Sequence, residues 1–304
     1  MKCRFQFSAG FEENSLPPQY LSLGPALNDR VANPFFGIIR TGPLSGATVA
    51  RRQLLLPHPQ YTSVFRNLPM AASSIYHGLM VKMERRVSRG LTMLASYTWS
   101  KQIDDSSAQE GFLDRAGGIL NFYDRRAERS LSSFDTPHRL VVSAVYDLPV
   151  GRGRARGGDM PAALDLLLGG WTVSGIATVQ SGLPIIISRP SVRTSASPRL
   201  DAPTVDRWFD TRAFAPAAPF TFGNVARTQP DLRTDATRNI DLTLGKYVSL
   251  PRGWRLQIRA DAFNLLNTPR FAAPNGNVTS PSFGRVTAQS NTPREIQLGL
   301  KLYW

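Results

Sequence analysis

The sequence predicts an all-β fold, an antiparallel transmembrane β-barrel with long extracellular loops and short periplasmic turns. Three observations lead to this prediction. From residue 75 onward, runs of the chain alternate apolar and polar residues, the pattern of a strand with one apolar face. The runs are about ten to thirteen residues long, as in tilted strands that cross a bilayer, and exceed most strands of soluble sheets. Short connections alternate with long ones rich in Pro, Gly, Asp, Asn and Ser, as in outer-membrane barrels.

Seven strands are predicted from this alternation. In the first strand, Leu79, Val81 and Met83 share one face, and the chain reverses at Gly90 into a second strand with the same pattern. A comparable reversal surrounds Pro251. Two alternating runs joined by a short turn that contains glycine are typical of a β-hairpin. The predicted strands are 75–87, 91–101, 138–148, 170–181, 239–249, 254–266 and 294–304.

Residues 1–74 are predicted to form mostly an extracellular loop, because prolines interrupt any long strand. A short strand is expected near 48–56. Residues 1–10 are interpreted as the remnant of a preceding strand, so the predicted number of strands is about seven or eight. The interrupting prolines are Pro17, Pro18, Pro25, Pro34, Pro43, Pro57, Pro59 and Pro69.

Charged residues occupy the polar faces of two predicted hairpins. Burying such charges in a soluble protein is costly, whereas a water-filled or plugged lumen solvates them. We therefore predict that one face of the sheet lines a barrel lumen. The alternative is a two-layer sandwich with one solvated face, which would leave Trp and Tyr at the strand ends unexplained. The candidate lumen-facing residues are Lys82, Glu84, Arg86, Arg255, Arg259 and Asp261.

The composition narrows the function classes. Hydrophobic residues make up 42% of the 304 residues and aromatic residues 10%, which is too much for a disordered chain. No stretch reaches the roughly 18 to 20 consecutive apolar residues of a membrane-spanning helix. The net charge is +14, but the arginines are scattered, and the densest run, GRGRARGG at 151–158, is interpreted as a flexible basic turn. No nucleic-acid partner is therefore expected.

No motif predicts catalysis, a metal site or a cofactor. The single cysteine, Cys3, cannot pair within the chain. His58, His77 and His138 have no partner at metal-ligand spacing and are interpreted as lone polar residues. The sequence has neither a nucleophile elbow nor a glycine-rich phosphate loop before a helix. The chain is therefore not expected to be an enzyme.

Two groups of charged residues lie in the predicted loop 101–138. Asp104 and Asp105 follow a strand, where a calcium or substrate contact is one alternative and a solvated loop is the preferred interpretation. The second group mixes both signs of charge and is interpreted as a surface ion-pair network or a packing contact between loops. It consists of Asp124, Arg125, Arg126, Glu128 and Arg129.

The last strand carries a candidate signal for barrel assembly. Outer-membrane barrels typically end in an amphipathic strand closed by an aromatic residue, which the assembly machinery recognises. Gln297, Gly299, Leu302 and Trp304 fit this pattern at the end of the sequence. The barrel assembly machinery and outer-membrane lipid are therefore the expected partners.

Five segments together resemble the C-terminal part of TonB-dependent receptors of the Oar-like type, many of which carry a carboxypeptidase-regulatory-like domain. YTWSK, FDTPHR and FNLLN occur in the usual order, and the resemblance covers roughly residues 17–304. It implies a 22-stranded barrel with an internal plug, which imports large, scarce solutes with force from the TonB complex. The segments are 76–107, 130–153, 168–184, 259–271 and 293–304.

The sequence departs from that family pattern in several ways. It contains no recognisable plug, TonB box, regulatory-like domain or signal peptide, and only about a third of the strands. We therefore expect the tail of a receptor, separated by truncation or a misplaced start, in the outer membrane of a diderm bacterium. Export would require the absent signal peptide, and the TonB complex would act only through the missing plug and N-terminal part. The alternative is a soluble all-β module that binds carbohydrate or nucleic acid and does not depend on detergent.

Overall fold

The computed structural model describes residues 2–7, 11–66, 72–88, 90–105 and 119–304. Its main element is one antiparallel sheet, in which eight strands follow one another in chain order. A ninth, two-residue strand pairs with the third of them. The eight strands are β1 (Lys2–Phe7), β2 (Ala72–Ser88), β3 (Leu91–Asp104), β4 (His138–Asp147), β5 (Trp171–Gln180), β6 (Thr237–Ser249), β7 (Arg255–Phe263) and β8 (Glu295–Tyr303).

The remaining elements are short and lie in the connections. Two are α-helices, α1 (Arg51–Leu54) and α2 (Ala162–Leu168). Four two-stranded pairs lie outside the main sheet: Phe11–Glu12 with Phe65–Arg66, Arg30–Ala32 with Thr48–Ala50, Pro184–Ile185 with Gln229–Arg233, and Ser191–Arg193 with Phe214–Pro216. Turns of 3-10 helix span Pro18–Asn28, Gly42–Leu44, Arg125–Glu128, Thr211–Ala213 and Pro251–Gly253.

Two tight turns and one connection of moderate length join the strands at one end of the sheet, called here the short-turn end. Between β2 and β3, Gly90 has a φ of +82°, which residues with a side chain rarely adopt. A Cβ atom at Gly90 would also lie 2.7 Å from the carbonyl oxygen of Asp147. Glycine is therefore required where β3 turns beside the end of β4. Pro251–Gly253 joins β6 to β7, and residues 148–170, which include α2, join β4 to β5.

The strand register gives the sheet an apolar face and a polar face. On β7 and β8, Ile258 pairs with Leu300, whereas Asp261 pairs with Gln297. Since paired residues of neighbouring strands point to the same side of a sheet, the alternation in each strand adds up across the sheet. A bulge interrupts the register near the end of β2. The alternation that the sequence shows is thus carried from strand to strand.

The long connections leave the sheet at the opposite end, called here the long-loop end. We define the loop cap as the described residues of the connections 105–137, 181–236 and 264–294. It contains a hydrophobic core of its own, against which Trp208 and Phe283 pack. The core residues are Ile185, Ile187, Phe209, Ala213, Phe214, Val225 and Leu232.

Several predicted boundaries differ from the structure. β2 begins at Ala72 rather than 75, and β7 ends at Phe263 rather than 266, because Asn264 has a positive φ that ends the strand. The strand expected near 48–56 covers only Thr48–Ala50, because α1 follows directly. The alternation of apolar and polar residues fails in that segment, RRQLLL. Residues 8–10, part of the expected remnant, lie outside the described residues.

Candidate functional site

The apolar face of the sheet is exposed rather than covered by another layer. On β8, the relative exposure is 68% for Ile296, 78% for Leu298 and 74% for Leu300. Of the eleven buried hydrophobic residues among the described ones, only Ala72 belongs to the main sheet. A soluble sheet gains its stability by burying such a face, so a water-exposed face of this kind is a site for apolar contact. Exposed members of the face include Leu79, Val81, Met83, Trp99, Leu140, Val179, Leu244 and Ile258.

Aromatic residues lie at both ends of the apolar face. Trp99 pairs with His138 at the long-loop end. Trp254 and Trp304 lie at the short-turn end, and Trp304 is 91% exposed. Trp171, the first residue of β5, lies at the same end. Indole and phenol rings prefer the boundary between hydrocarbon and water. These two groups of aromatic residues, called here the aromatic belts, therefore lie where the two surfaces of a bilayer would be.

The six candidate lumen-facing residues lie on the polar face in two separate groups. On β2, the carboxylate of Glu84 lies 3.1 Å from Nζ of Lys82 and 3.0 Å from Nε of Arg86. On β7, Nε of Arg259 donates to the carboxylate of Asp261 at 2.8 Å, which also accepts from the Thr243 hydroxyl at 2.5 Å. The last of the six, Arg255, lies near the short-turn end. Their exposure to a lumen remains a prediction.

A polar cleft of about 590 Å³ opens where the polar face meets the loop cap. Asp241 of β6 lies in it, and its Oδ1 accepts a hydrogen bond from the backbone N–H of Asn264 at 2.9 Å. Both signs of charge and several amides line the cleft, so it offers donors and acceptors for a polar ligand. Its lining residues are Thr178, Thr237, Arg238, Asn239, Asp241, Phe263, Asn264, Arg270, Asn291, Thr292 and Glu295.

The FNLLN segment forms the turn at the edge of this cleft. Asn264 and Asn267 have φ values of +49° and +51°, a conformation that asparagine tolerates better than most residues. Nδ2 of Asn264 donates to the carbonyl oxygens of Thr268 and Thr292, and its Oδ1 accepts from the N–H of Thr268. Oδ1 of Asn267 accepts from the N–H of Arg294. The two asparagines therefore hold the start of β8 against the end of β7.

Three buried carboxylates bind the loop cap together. They are Asp104 at the end of β3, and Glu128 and Asp135 in the following connection. Each pairs with an arginine from the connection 181–236. Burial of a carboxylate requires such a partner, because an isolated charge loses its hydration without compensation.

The buried pair of Asp104 with Arg227 is the most enclosed of the three. The side chains are 2% and 1% exposed, and Nη2 of Arg227 donates to both the carboxylate and the carbonyl oxygen of Asp104. Nε of Arg227 donates to the carbonyl oxygen of Glu128 at 3.3 Å. One guanidinium thus connects the end of β3 to the connection 105–137.

The other two pairs repeat this arrangement. Nη1 of Arg189 lies 2.8 Å from Oε2 of Glu128, whose Oε1 accepts from the N–H of Leu120. Nη2 of Arg233 donates to Oδ2 of Asp135 at 2.7 Å. The carboxylates come from the end of β3 and the connection that follows it, and the arginines come from the connection 181–236. These parts cannot separate without breaking the pairs and exposing the charges.

These pairs correct the interpretation of Asp104 and Asp105 as a solvated loop. Asp104 is buried against Arg227, and Asp105 accepts hydrogen bonds from Ser73 and lies 3.4 Å from Nη2 of Arg125. Among the described residues, no cluster of three His, Cys, Asp or Glu side chains could hold a metal ion. Of the mixed-charge group, Glu128 makes the predicted packing contact between loops.

The loop cap also contains Asp210, whose carboxylate accepts from the backbone N–H of Arg212 and caps the turn Thr211–Ala213. Nη2 of Arg212 donates to Oδ2 at 2.7 Å and Nη2 of Arg207 to Oδ1 at 3.0 Å. The hydrogen bond from Arg212 is the main cause that holds the pKa of Asp210 well below its usual range. Asp210 therefore stays charged at the surface of the core.

The YTWSK and FDTPHR segments contact each other across β3 and β4. The hydroxyl of Tyr97 lies 2.8 Å from Nδ1 of His138, so His138 is not the lone polar residue that the sequence suggested. The hydroxyl of Ser100 donates to the carbonyl oxygen of Thr136 at 2.9 Å. Oδ1 of Asp135 accepts from the N–H of Gln102 at 2.6 Å. The two segments together fix the corner where the loop cap begins.

The residues of the candidate assembly signal all lie on β8 or directly after it. Gln297 and Gly299 pair with Asp261 and Arg259 on the polar face, whereas Leu302 pairs with Leu256 on the apolar face. Trp304 continues the apolar face beyond the last paired residue. The predicted alternation is therefore present, and its role in assembly remains a prediction.

Sequence reasoning did not identify Lys246, which lies on the apolar face between Leu244 and Val248. Its side chain is 4% exposed, and its Nζ donates to the carbonyl oxygens of Gly169 at 2.5 Å and Leu167 at 3.2 Å. The available signal was a charge between two apolar residues on the apolar face of β6. It marks the place where the connection with α2 crosses the apolar face.

Of the comparisons with known proteins, the family comparison supports this geometry. Among the described residues, no helix has the length and apolar character needed to span a membrane. The solved structure of the outer membrane transporter YddB from Escherichia coli resembles 80% of this chain and 26% of its own, at 11% identity and a TM-score of 0.42. This chain therefore spans about a quarter of that transporter. No curated protein matches in sequence. The family model for an outer membrane beta barrel domain matches residues 11–297, and the chain belongs to that family.

Proposed function

We propose that this chain is the C-terminal part of the barrel wall of a TonB-dependent outer-membrane receptor, which imports a large, scarce solute. The observation that carries the proposal is the two-faced sheet, apolar and exposed on one side and charged on the other. Membership in the outer membrane barrel family supports it. The Oar-like sequence pattern supports the finer assignment to TonB-dependent receptors.

The two faces have different tasks in this proposal. The apolar face contacts outer-membrane lipid, so its exposed leucines are in contact with hydrocarbon instead of water. The polar face lines the lumen, where charged pairs such as Arg259 with Asp261 stay hydrated and contact a plug or a passing solute. A membrane sheet must also close, because unpaired backbone groups are costly in lipid. Strands that precede β1 in the receptor would complete a barrel of about 22 strands, in which the first strand pairs with β8.

The loop cap would form the outer surface above the lumen. The cleft lined by Arg238, Asp241 and Glu295 opens at the junction of the polar face and this cap, where a solute would first meet the wall. The TonB complex would act through a plug and an N-terminal part of the receptor. We propose no catalytic step and no cofactor for this chain.

Sequencing the DNA upstream of Met1 in the same reading frame tests the proposal. We expect coding sequence for a signal peptide, a plug and the remaining strands of the barrel. A promoter and an in-frame stop codon directly upstream of Met1 would contradict it. The chain would then be a decayed gene product, or a small barrel that assembles from copies of itself.

We also propose that the barrel assembly machinery recognises the end of β8. Trp304→Ala is expected to lower the amount of folded, heat-modifiable barrel in the outer membrane several-fold, because the closing aromatic is lost. The matched control is Trp254→Ala, since Trp254 lies on the same face and at the same end of the sheet. Equal losses of folded barrel in both variants would contradict the proposal, because they would show that any tryptophan at this end of the apolar face has the same effect.

A further inference from the structure

The connection between β4 and β5 differs from the two tight turns at the same end of the sheet because it lies over the apolar face. Trp171 and Lys246 pair across β5 and β6 on that face, and both side chains donate to carbonyl oxygens of this connection. Nε1 of Trp171 donates to Leu167 at 2.9 Å. The end of α2 is therefore fixed on the lipid side of the sheet, beside the aromatic belt at the short-turn end.

Lys246 explains how this connection is held. Its ammonium group lies 5.0 Å from the centre of the Trp171 ring and donates to two carbonyl oxygens that the end of α2 leaves free. A cation near the C-terminus of a helix is favourable because the carbonyl ends carry partial negative charge. Asp165 fixes the other side of the connection, since its Oδ1 accepts from the N–H of Arg152 at 2.7 Å.

Helix α2 turns its apolar residues outward. Leu167 is 67% exposed, and the other leucines of the helix are also exposed. Asp165 is the partly buried position of the helix, and its carboxylate faces the turn at Arg152. The exposed leucines are Leu164, Leu166, Leu167 and Leu168.

Three arginines precede the helix in the same connection. Arg152, Arg154 and Arg156 are exposed. Within the described ranges of the chain, none of them forms an ion pair with a carboxylate. Their backbone is fixed by hydrogen bonds from the N–H of Gly151 to Arg156 and from the N–H of Arg156 to Pro149. The basic run is therefore a defined turn that presents three free positive charges beside four exposed leucines.

We propose that residues 151–168 form an interfacial element that binds anionic phospholipid at the short-turn side of the membrane. The leucines of α2 enter the acyl boundary, and the three arginines bind the headgroup phosphates. Apolar side chains on one side and arginines on the other are the composition of helices that lie in a membrane interface. Guanidinium groups suit phosphate because they donate two parallel hydrogen bonds to its oxygens. This proposal rests on the proposed function only in that the barrel spans a bilayer. It does not depend on the TonB complex or on transport.

Lipid retention by the full-length protein tests this site. The protein is reconstituted into nanodiscs of phosphatidylcholine mixed with phosphatidylglycerol, and the lipids that it retains are counted by native mass spectrometry. Each arginine near an anionic surface raises the preference for anionic over neutral lipid about fivefold. The triple variant Arg152→Gln, Arg154→Gln, Arg156→Gln is therefore expected to retain phosphatidylglycerol over phosphatidylcholine with a preference that is lower by roughly a hundredfold. The matched control replaces Arg40, Arg52 and Arg126, which are exposed and lie in long connections. An equal loss in the control would overturn the proposal.

A second measurement keeps the proposal testable if the triple variant does not fold. In a Cys3→Ser background, an environment-sensitive fluorophore is attached to Leu167→Cys or, as the control, to the exposed Asp159→Cys. We expect a lipid-borne quencher to quench the label at 167 strongly and that at 159 weakly. A label at 167 that water-soluble quenchers reach and the lipid-borne quencher does not would overturn the proposal, because α2 would then lie in water. Failure of the upstream-DNA test would leave both lipid measurements unaffected.

Discussion

Arg227→Met is expected to destabilise the loop cap by about 3–5 kcal/mol, because it removes the buried guanidinium that pairs with the carboxylate of Asp104. Asp104 is 2% exposed and forms an ion pair with Arg227. Methionine has a similar length but cannot donate, so the carbonyl oxygens of Asp104 and Glu128 also lose a donor. Hydrogen exchange of the amides in 181–236, measured on the folded protein in detergent, reports the free energy of local opening.

Two further variants separate the buried charge from a general effect of removing an arginine. Arg285→Met breaks an exposed pair with Asp206, with side chains 54% and 73% exposed, and is expected to cost only about 0–1 kcal/mol. Combining Arg227→Met with Asp104→Leu is expected to recover part of the loss, because the uncompensated charge is then removed. If the double variant opened as readily as Arg227→Met alone, burial of an unpaired charge would not be the cause.

Leu298→Arg is expected to destabilise the folded barrel by about 2–4 kcal/mol, the cost of an arginine on the lipid face near the bilayer midplane. Leu298 lies in the middle of β8 and pairs with Ala260 on the apolar face. Its side chain points to lipid in the proposed orientation, so the guanidinium must reach the interface or draw water into the hydrocarbon. Equilibrium unfolding in lipid vesicles with guanidinium chloride measures the change.

The neighbouring Gln297→Arg is the control for this prediction. Gln297 pairs with Asp261 on the polar face, where an added arginine meets a carboxylate and water. We expect a change within about 0.5 kcal/mol, as for substitutions away from buried or lipid-exposed sites. A comparable loss for both variants would mean that the two faces of β8 have the same surroundings.

The strands could be predicted because their signal is local. Alternation along β7 and β8 is visible within ten residues, and the register then follows from pairing apolar with apolar positions such as Ile258 and Leu300. The strand ends could not be predicted from alternation, because the backbone conformation decides where a strand stops. Asn264 ends β7 through a positive φ, which a two-residue period does not show.

The loop cap could not be predicted because its contacts join distant parts of the chain. The pair of Asp104 with Arg227 spans 123 residues, and that of Asp135 with Arg233 spans 98. In the sequence, Asp104 and Asp105 look like an acidic loop, because nothing nearby indicates which arginine they will meet. Helix α2 was missed for a related reason: LDLLL is too short to show a helical period.

Cysteine accessibility along β8 tests most directly whether this sheet is a membrane wall with one lipid face and one lumen face. In a Cys3→Ser background, Leu298→Cys and Leu300→Cys are compared with Gln297→Cys and Lys301→Cys in the full-length protein in outer-membrane vesicles. We predict that water-soluble maleimide reacts readily at 297 and 301, and that lipid-borne quenchers reach labels at 298 and 300. Equal reaction with the water-soluble reagent at all four positions would contradict the two-faced wall.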